Sequence, residues 1–535
     1  MLTSVDTHTR LIVIVPQSPI PNLNFHSTLI LYLFLIYLKL FIHLKNNMET
    51  NNIIEINNQK GSLLNNLNLQ KSQNISKTNL FIYFSACLFC SVILFMFFSF
   101  SENKKQDFNL QPKNFNQVHL NIIKAVFSIS NINSKTKLIN EPNARLNINL
   151  IIDGEEKDFA TEFQFKKMGD HIVEFKFEEK LTNISSLFMN TNTLKEIDLS
   201  GLETSEVISM DNLFSGCVSL EKINLNNLDT SNVNSMKSMF KDCNKLKELN
   251  MEKFTSENTI FTDSMFENCY NLPNINIDYF DLTNTKSAEY MFRACYNLKE
   301  VALKNTNNKN SSSISMKSMF SNCYSLKEIN LNKFEEKSVN KMDFMFNNCN
   351  NLLSIDLSKF ETSEVKSISY SFSNCSSLTS LDIAKINLNN VEDMGYAFRY
   401  CTSLESIDLS NFNTTKVKAM SGLFFACRSL SSVHLNKYPI NITSISDLFN
   451  GCTSLSNVVL RVDNAQMVDR VFKNCNSLKY VDLSEFNGNG IKLYVNDFFP
   501  TNALNTIIIY NSTIIGKTLE RRIPSSWKKV DIENN

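Results

Sequence analysis

Phenylalanine returns at a fixed interval through the C-terminal part of this chain. It stands at Phe188, Phe214, Phe240, Phe266, Phe292, Phe320, Phe346, Phe372, Phe398, Phe424, Phe449 and Phe472, every 26 residues apart from three steps of 28, 25 and 23. Three residues after each Phe comes Cys in eleven of the twelve units: Cys217, Cys243, Cys269, Cys295, Cys323, Cys349, Cys375, Cys401, Cys427, Cys452 and Cys475. The first unit has Thr191 in that place. Three residues further on is Leu in all twelve, from Leu194 to Leu478. Composition does not generate twelve units in such register, so the chain is a repeat protein and its 535 residues do not divide into ordinary domains.

Each unit reads as strand, turn, short helix and return loop. The Leu-x-x-Ile-x-Leu piece, as in Leu404-Ile407-Leu409, shows alternate residues to a core as a short strand does. In the segment that follows, Val365, Ile368 and Phe372 fall at i, i+3 and i+7, one face of a helix, and Thr362 or Ser363 is placed to cap it. No single unit can bury its apolar face, and stacking joins the faces into one core. The expected fold is therefore α/β: a solenoid of about twelve 26-residue repeats with parallel strands and short helices. At ~4.8 Å per strand its sheet would run roughly 55 Å.

The signature Met-Phe-x-x-Cys-x-x-Leu-x-x-Ile-x-Leu, as in Met239 to Leu249, is followed by Phe-x-Thr-Ser-x-Val, as in Phe360 to Val365. It resembles the leucine-rich repeats of the BspA-like surface proteins, in the branch found in Mycoplasma lipoproteins. The resemblance covers residues 183–486 and implies a leucine-rich-repeat solenoid on a surface protein, in a family associated with adhesion and recognition. It brings no catalytic residues. The chain departs from the pattern at Thr191, at Glu336 to Val339 and around Asp281 to Ala288.

The cysteines read as a buried structural ladder, each a small apolar filler between Phe and Leu. In-register Cβ vectors suit a disulfide poorly, and one Cys per unit with no His beside it supplies no metal site. On the strand's outward positions five repeats begin Lys-Glu or Glu-Lys. From the seventh the face turns to Ser and Asp: Ser354 and Asp356, Ser380 and Asp382, Ser406 and Asp408. That strip is the candidate binding face for a basic partner or a cation, set against the plainer reading of a solvated surface. Six N-x-S/T sequons follow residue 100, at Asn183, Asn310, Asn374, Asn413, Asn441 and Asn511. The sequon of Asn374 runs through Cys375 and is unusable if that cysteine is buried.

Both ends of a solenoid need cover. Residues 117–182 read as a β-rich N-terminal cap: Ile148, Leu150 and Ile152 alternate before an Asp153-Gly154 hairpin turn, and Val173, Phe175 and Phe177 alternate after it. Residues 487–535 read as the C-terminal cap, with Trp527 as an apolar plug.

Before the cap, Leu80 to Phe100 is 21 residues without a charge, long enough at 1.5 Å per residue to span a bilayer's hydrocarbon core. It reads as a single transmembrane helix. The box Phe84-Ser85-Ala86-Cys87 is not taken as a lipoprotein signal, because the chain stays apolar beyond it. Cys87 and Cys90 read as lipid-facing residues, with palmitoylation as the other reading. Residues 1–47 hold a shorter apolar run. That run could be a membrane segment or a signal core, but the favoured reading is an upstream extension ahead of Met48. Residues 48–79 are then a polar tail and 101–116 a linker. Three Lys lie on each side of the apolar stretch, so charge does not set its orientation.

Fifty-three basic and 53 acidic residues leave no net charge, which removes the electrostatic case for nucleic acid. No HExxH, GxSxG or Walker sequence is present, so neither an enzyme nor a cofactor is expected. The expectation is a membrane-anchored surface protein, its C-terminal part outside, binding a protein or matrix ligand. The rival reading is a membrane-tethered intracellular scaffold, which the many free thiols would suit.

Overall fold

The computed structural model describes residues 121–140 and 147–534, with breaks at 253, 276–280, 306–311, 336, 414, 436–439, 464 and 492–494. The expected extension 1–47, tail 48–79, transmembrane stretch 80–100 and linker 101–116 lie outside the described residues. Among the described residues no helix is long and apolar enough to cross a membrane.

The chain first forms an antiparallel sheet. Asn121–Ile129 pairs with Gly169–Phe177, which pairs on its far side with Ile148–Ile152. Alternation explains the arrangement: Ile123, Ala125, Phe127 and Ile129 are buried, as are Val173, Phe175 and Phe177 opposite them. Asp153 and Gly154 both take positive φ, as the two-residue hairpin turn requires. The free edge of Asn121–Ile129 pairs antiparallel with Leu194–Gly201, the first strand of the repeats, which pairs parallel with Lys222–Asn224. One sheet thus runs from the leading segment into the solenoid and leaves the first strand no bare edge.

The repeats then wind as a parallel β-solenoid of about eleven turns. The twelve phenylalanines of the sequence period stack ring on ring, with centroids 5.3 to 5.7 Å apart in all eleven successive pairs. Each stacked pair adds ~0.5–1.5 kcal/mol to the burial itself. Phe175 meets Phe188 edge-on at one end of the stack, and Phe498 meets Phe472 edge-on at the other. The Cys and Leu columns are buried alongside.

Among the described residues of the repeats, the expected short α-helices before the column Phe do not form. In every turn from Phe188 to Phe472 the residues two before and two after the Phe have positive φ, for example Ser238 at 54° and Asp242 at 62°. Two left-handed residues within five positions cannot belong to an α-helix. The segment is instead a chain of tight turns: Met239 N–H bonds Met236 C=O, Lys241 bonds Ser238, and Cys243 bonds Phe240. The alternate amides reach the next turn, Ser238 to Asp263, Phe240 to Met265 and Asp242 to Glu267, at 2.8 to 2.9 Å. The apolar spacing that suggested a helical face is real burial, since Val365, Ile368 and Phe372 are all inside. Thr362 caps nothing helical. Its hydroxyl donates to Asn387 C=O on the following turn at 2.8 Å. Thr204 and Thr230 staple their turns to the next in the same way.

The strand side is not one continuous sheet. Parallel pairing joins Asn274–Ile275, Glu300–Asn305 and Glu328–Phe334, then resumes at Ser406–Asp408 and runs through Ser432–His434, Asn457–Val459 and Tyr480–Leu483. Between the blocks, 3-10 turns at Leu357–Lys359 and Ile383–Lys385 draw the backbone out of the ladder. Near the C-terminus, Ile507–Tyr510 and Lys528–Asp531 add two further parallel strands. Trp527 is buried there, its indole N–H donating to Ala503 C=O at 2.9 Å and its ring meeting Phe499 edge-on.

Candidate functional site

The six residues of the Ser/Asp strip, Ser354, Asp356, Ser380, Asp382, Ser406 and Asp408, are all exposed. They are not brought together into one site. The aspartates close turns: Asp356 accepts the Ser358 N–H at 3.0 Å, and Asp408 accepts that of Ser410 at 2.8 Å. The serine two residues on, through its hydroxyl first and its amide second, holds each carboxyl below the usual carboxylate pKa. Asp198 and Asp482 likewise accept the N–H groups of Ser200 and Ser484, at 2.8 and 2.9 Å. Asp382 has no such bond and faces Lys385 at 3.5 Å.

Where the strand ladder lapses, two clefts open beside these aspartates. One, of about 430 Å³, is lined by Glu328, Ile329, Asn330, Leu331, Asp356 and Lys359. The other, of about 340 Å³, takes in the Ile383 to Asn389 segment with Asp408 and Phe412. Ser354, Ser380 and Ser406 line neither. The sequence does not mark the lapse: Leu357-Ser358-Lys359 after Asp356 differs little from Leu409-Ser410-Asn411 after Asp408, where the ladder holds.

The eleven ladder cysteines are free and buried. Each thiol donates to the carbonyl of the Phe on the preceding turn, as Cys243 does to Phe214 and Cys349 to Phe320, at 3.3 and 3.1 Å. Burial raises every one of them, to about 12 at Cys217, Cys401 and Cys475. A thiol held protonated is neither a nucleophile nor a metal ligand. Among the described residues no group of three or more His, Cys, Asp or Glu is arranged to hold a metal ion.

Two other features were not singled out from sequence. Lys337 is buried, its ammonium donating to Thr283 C=O at 2.6 Å, and burial lowers its pKa to about 8 despite the nearby Asp281. In the same region, around the 28-residue unit, Lys304 pairs with Asp281 at 3.8 Å and Lys341 with Glu289 at 3.0 Å. The second feature is the outer side of the turn ribbon, which carries rows of aromatic rings. Tyr270, Tyr296 and Tyr324 stack at 4.6 and 5.0 Å, and Phe344, Tyr370 and Tyr396 at 4.9 and 5.0 Å. The recurrence of these side chains once per unit is visible in the sequence but lies outside the buried columns.

Beside the rings runs an asparagine row. Asn374 Nδ2 donates to Asn348 Oδ1 at 2.8 Å, and Asn348 Nδ2 to Asn322 Oδ1 at 2.6 Å. With Cys375 buried and its own amide already donated, Asn374 is a poor glycosylation acceptor.

Two family models match the chain. The model of a Mycoplasma protein of unknown function, DUF285, matches residues 182–307 and 314–438. The BspA type leucine rich repeat region matches residues 394–519 in six copies. No curated protein matches. Among solved structures, a leucine rich cell surface protein of Faecalibacterium prausnitzii is 17% identical, over 62% of this chain and 89% of its own, with a TM-score of 0.33. An internalin of Listeria monocytogenes is 15% identical, over 64% and 87%, with a TM-score of 0.21. TLR13 in complex with ssRNA13 is 13% identical, over 65% and 66%, with a TM-score of 0.19.

Proposed function

Because this chain belongs to the BspA-like leucine-rich-repeat family, we propose that it is a single-pass, membrane-anchored surface protein that holds a protein or matrix ligand on its solenoid. Leucine-rich-repeat proteins of this kind are generally binding scaffolds, not enzymes. One observation carries the reading. The inward columns scarcely change from turn to turn, while the outward ones vary freely. The exposed position after the column Leu is Lys247, Lys299, Lys327, Leu353, Thr379, Glu405, Ser431 and Lys479 on eight of the turns. A fixed core with a variable outside is how a solenoid builds an extended binding surface. The uncharged stretch Leu80 to Phe100 supplies the anchor in this reading.

A second reading, a membrane-tethered scaffold inside the cell, is favoured by the eleven free thiols, which suit a reducing compartment. Their burial weakens that argument, since a thiol enclosed between Phe and Leu is shielded from oxidants on either side. Protease treatment of intact cells separates the two. Loss of the repeat region with the membrane sealed is the expected result, and complete protection overturns the surface assignment.

A further inference from the structure

Arg399 occupies the column just after the stacked phenylalanines, and its guanidinium lies over three rings. The distances are 4.8 Å to Tyr400, 5.4 Å to Phe425 and 5.7 Å to Tyr396. Tyr396 continues the Phe344–Tyr370–Tyr396 stack, and Tyr400 meets Phe425 edge-on at 5.4 Å. Five half-buried aromatic residues and one arginine therefore form a single patch across four turns. The Nε of Arg399 is fully enclosed and meets no acceptor among the described residues. Enclosing an unpaired donor costs ~1–3 kcal/mol.

The same column shows what such an arginine takes when it is paired. Arg293 lies over Tyr290 at 5.0 Å and bonds the buried carboxylate of Glu267, one turn before it, at 2.5 Å. Arg470, on the neighbouring column, forks onto Asp447 with both contacts at 2.7 to 2.8 Å. On the turns either side of Arg399 the equivalent positions hold Ser373 and Phe425, so neither supplies a carboxylate.

We propose that the aromatic cradle of Arg399 receives a carboxylate from a protein partner, an Asp or Glu side chain in an exposed segment, which plays from outside the part that Glu267 plays for Arg293. This rests on the reading of the chain as a protein-binding scaffold and names where and by what chemistry it binds. Tyrosine and arginine are among the residues on which interface energy concentrates, and a planar guanidinium matches a carboxylate with two parallel bonds. A sugar ring or a nucleobase needs a free aromatic face to lie on. Around Arg399 most of those faces are taken. The rings of the Phe344 row cover one another, the end ring Tyr396 lies against Gly422, and Arg399 covers Tyr400 and Phe425.

The test uses the full-length chain on two arrays of immobilised nonapeptides of varied flanking sequence. One array has Asp or Glu at the centre, and its twin has Asn or Gln. The wild-type protein should be retained at least about tenfold more on acidic members than on their neutral twins. Arg399→Gln should abolish that preference. Arg399→Lys, which keeps the charge but loses the fork and the stacking, should lose most of it. Arg521→Gln, which removes the same charge from the C-terminal segment, should leave it unchanged. Equal retention on both arrays overturns the proposal, as does equal sensitivity to Arg521→Gln. So does Arg399-dependent capture of heparin or sialyllactose without peptide preference. Peptide binding that survives Arg399→Gln sinks this site while leaving the scaffold reading intact. Matched circular dichroism melts confirm that each variant is folded, and the charge-conserving Lys variant keeps the test decisive if the Gln variant is not.

Discussion

Gly422 is needed by its neighbour more than by its own backbone. It has φ of +59° in a position where other turns place Ser, Asn or Tyr, so the left-handed conformation alone does not require glycine. A Cβ built on it would stand 2.3 Å from Cε1 of Tyr396, which leans across from the preceding turn. The aromatic row ends at Tyr396 because the next residue in the column has no side chain. Gly422→Ala should force that ring out of its stack and lower stability by ~1–3 kcal/mol, read as a drop in the urea midpoint. Tyr396→Ala in the same background should recover much of the loss, because the clash is then gone.

At the scale of the element, the turn ribbon explains both what could be read in advance and what could not. The Phe, Cys and Leu columns were legible because burial admits few residues and admits the same ones on each turn. The hairpin at Asp153-Gly154 was legible because that pair favours two successive positive φ angles. The helix was a misreading, since a row of tight turns buries residues at the same spacing as a helical face. The correcting signal was present: two residues after the column Phe stands Asn, Asp or Gly in nine of twelve turns, the residues most tolerant of the left-handed region. It was hidden by Tyr400 at one of those positions and by Phe344, Tyr370 and Arg470 at the other. Of the candidate site, the exposure of the Ser/Asp strip was legible. The use of its aspartates in turns was not, because an exposed Asp looks the same in sequence whether or not its carboxylate is spent. Thr362 gives the element its test. Thr362→Val keeps the shape and removes the hydroxyl that staples one turn to Asn387 on the next. It should cost ~1 kcal/mol in urea unfolding, whereas a helix-cap role would be restored by Asp or Asn at the same position.

Across the whole solenoid the thiol ladder sets the response to alkali. Burial raises all eleven cysteines above their usual range, so the folded chain keeps protons that the unfolded chain gives up above pH ~8.5. The folded state binds more protons there, and stability falls as pH rises. Each thiol contributes ~1.4 kcal/mol per pH unit, so one unit above that point the eleven together remove on the order of 15 kcal/mol, comparable with the whole stability of a domain. Lys337 works in the opposite direction. Its pKa is lowered to about 8, so its contribution grows between that pH and the usual lysine value near 10.4, by only ~3 kcal/mol. Under reducing conditions, circular dichroism should show a steep loss of structure between about pH 9 and 10.5. Replacing three ladder cysteines by Ala should move that transition to higher pH and make it shallower. An unchanged midpoint would mean that the thiols are not enclosed.

The backbone bonds that tie each turn to the next also govern how such a protein can change over generations. An amide that seeks its acceptor one full lap further on accepts another lap without complaint, and tolerates a fraction of one badly. The 28-residue unit shows how a fraction is handled, since its surplus falls in a polar stretch between the matched columns. Reach should therefore alter in whole laps, by duplication or loss of a unit, while a partial insertion is pushed outward as a loop. Lineages of this chain would differ in length as a spring differs from one with an added coil, with the pitch kept constant.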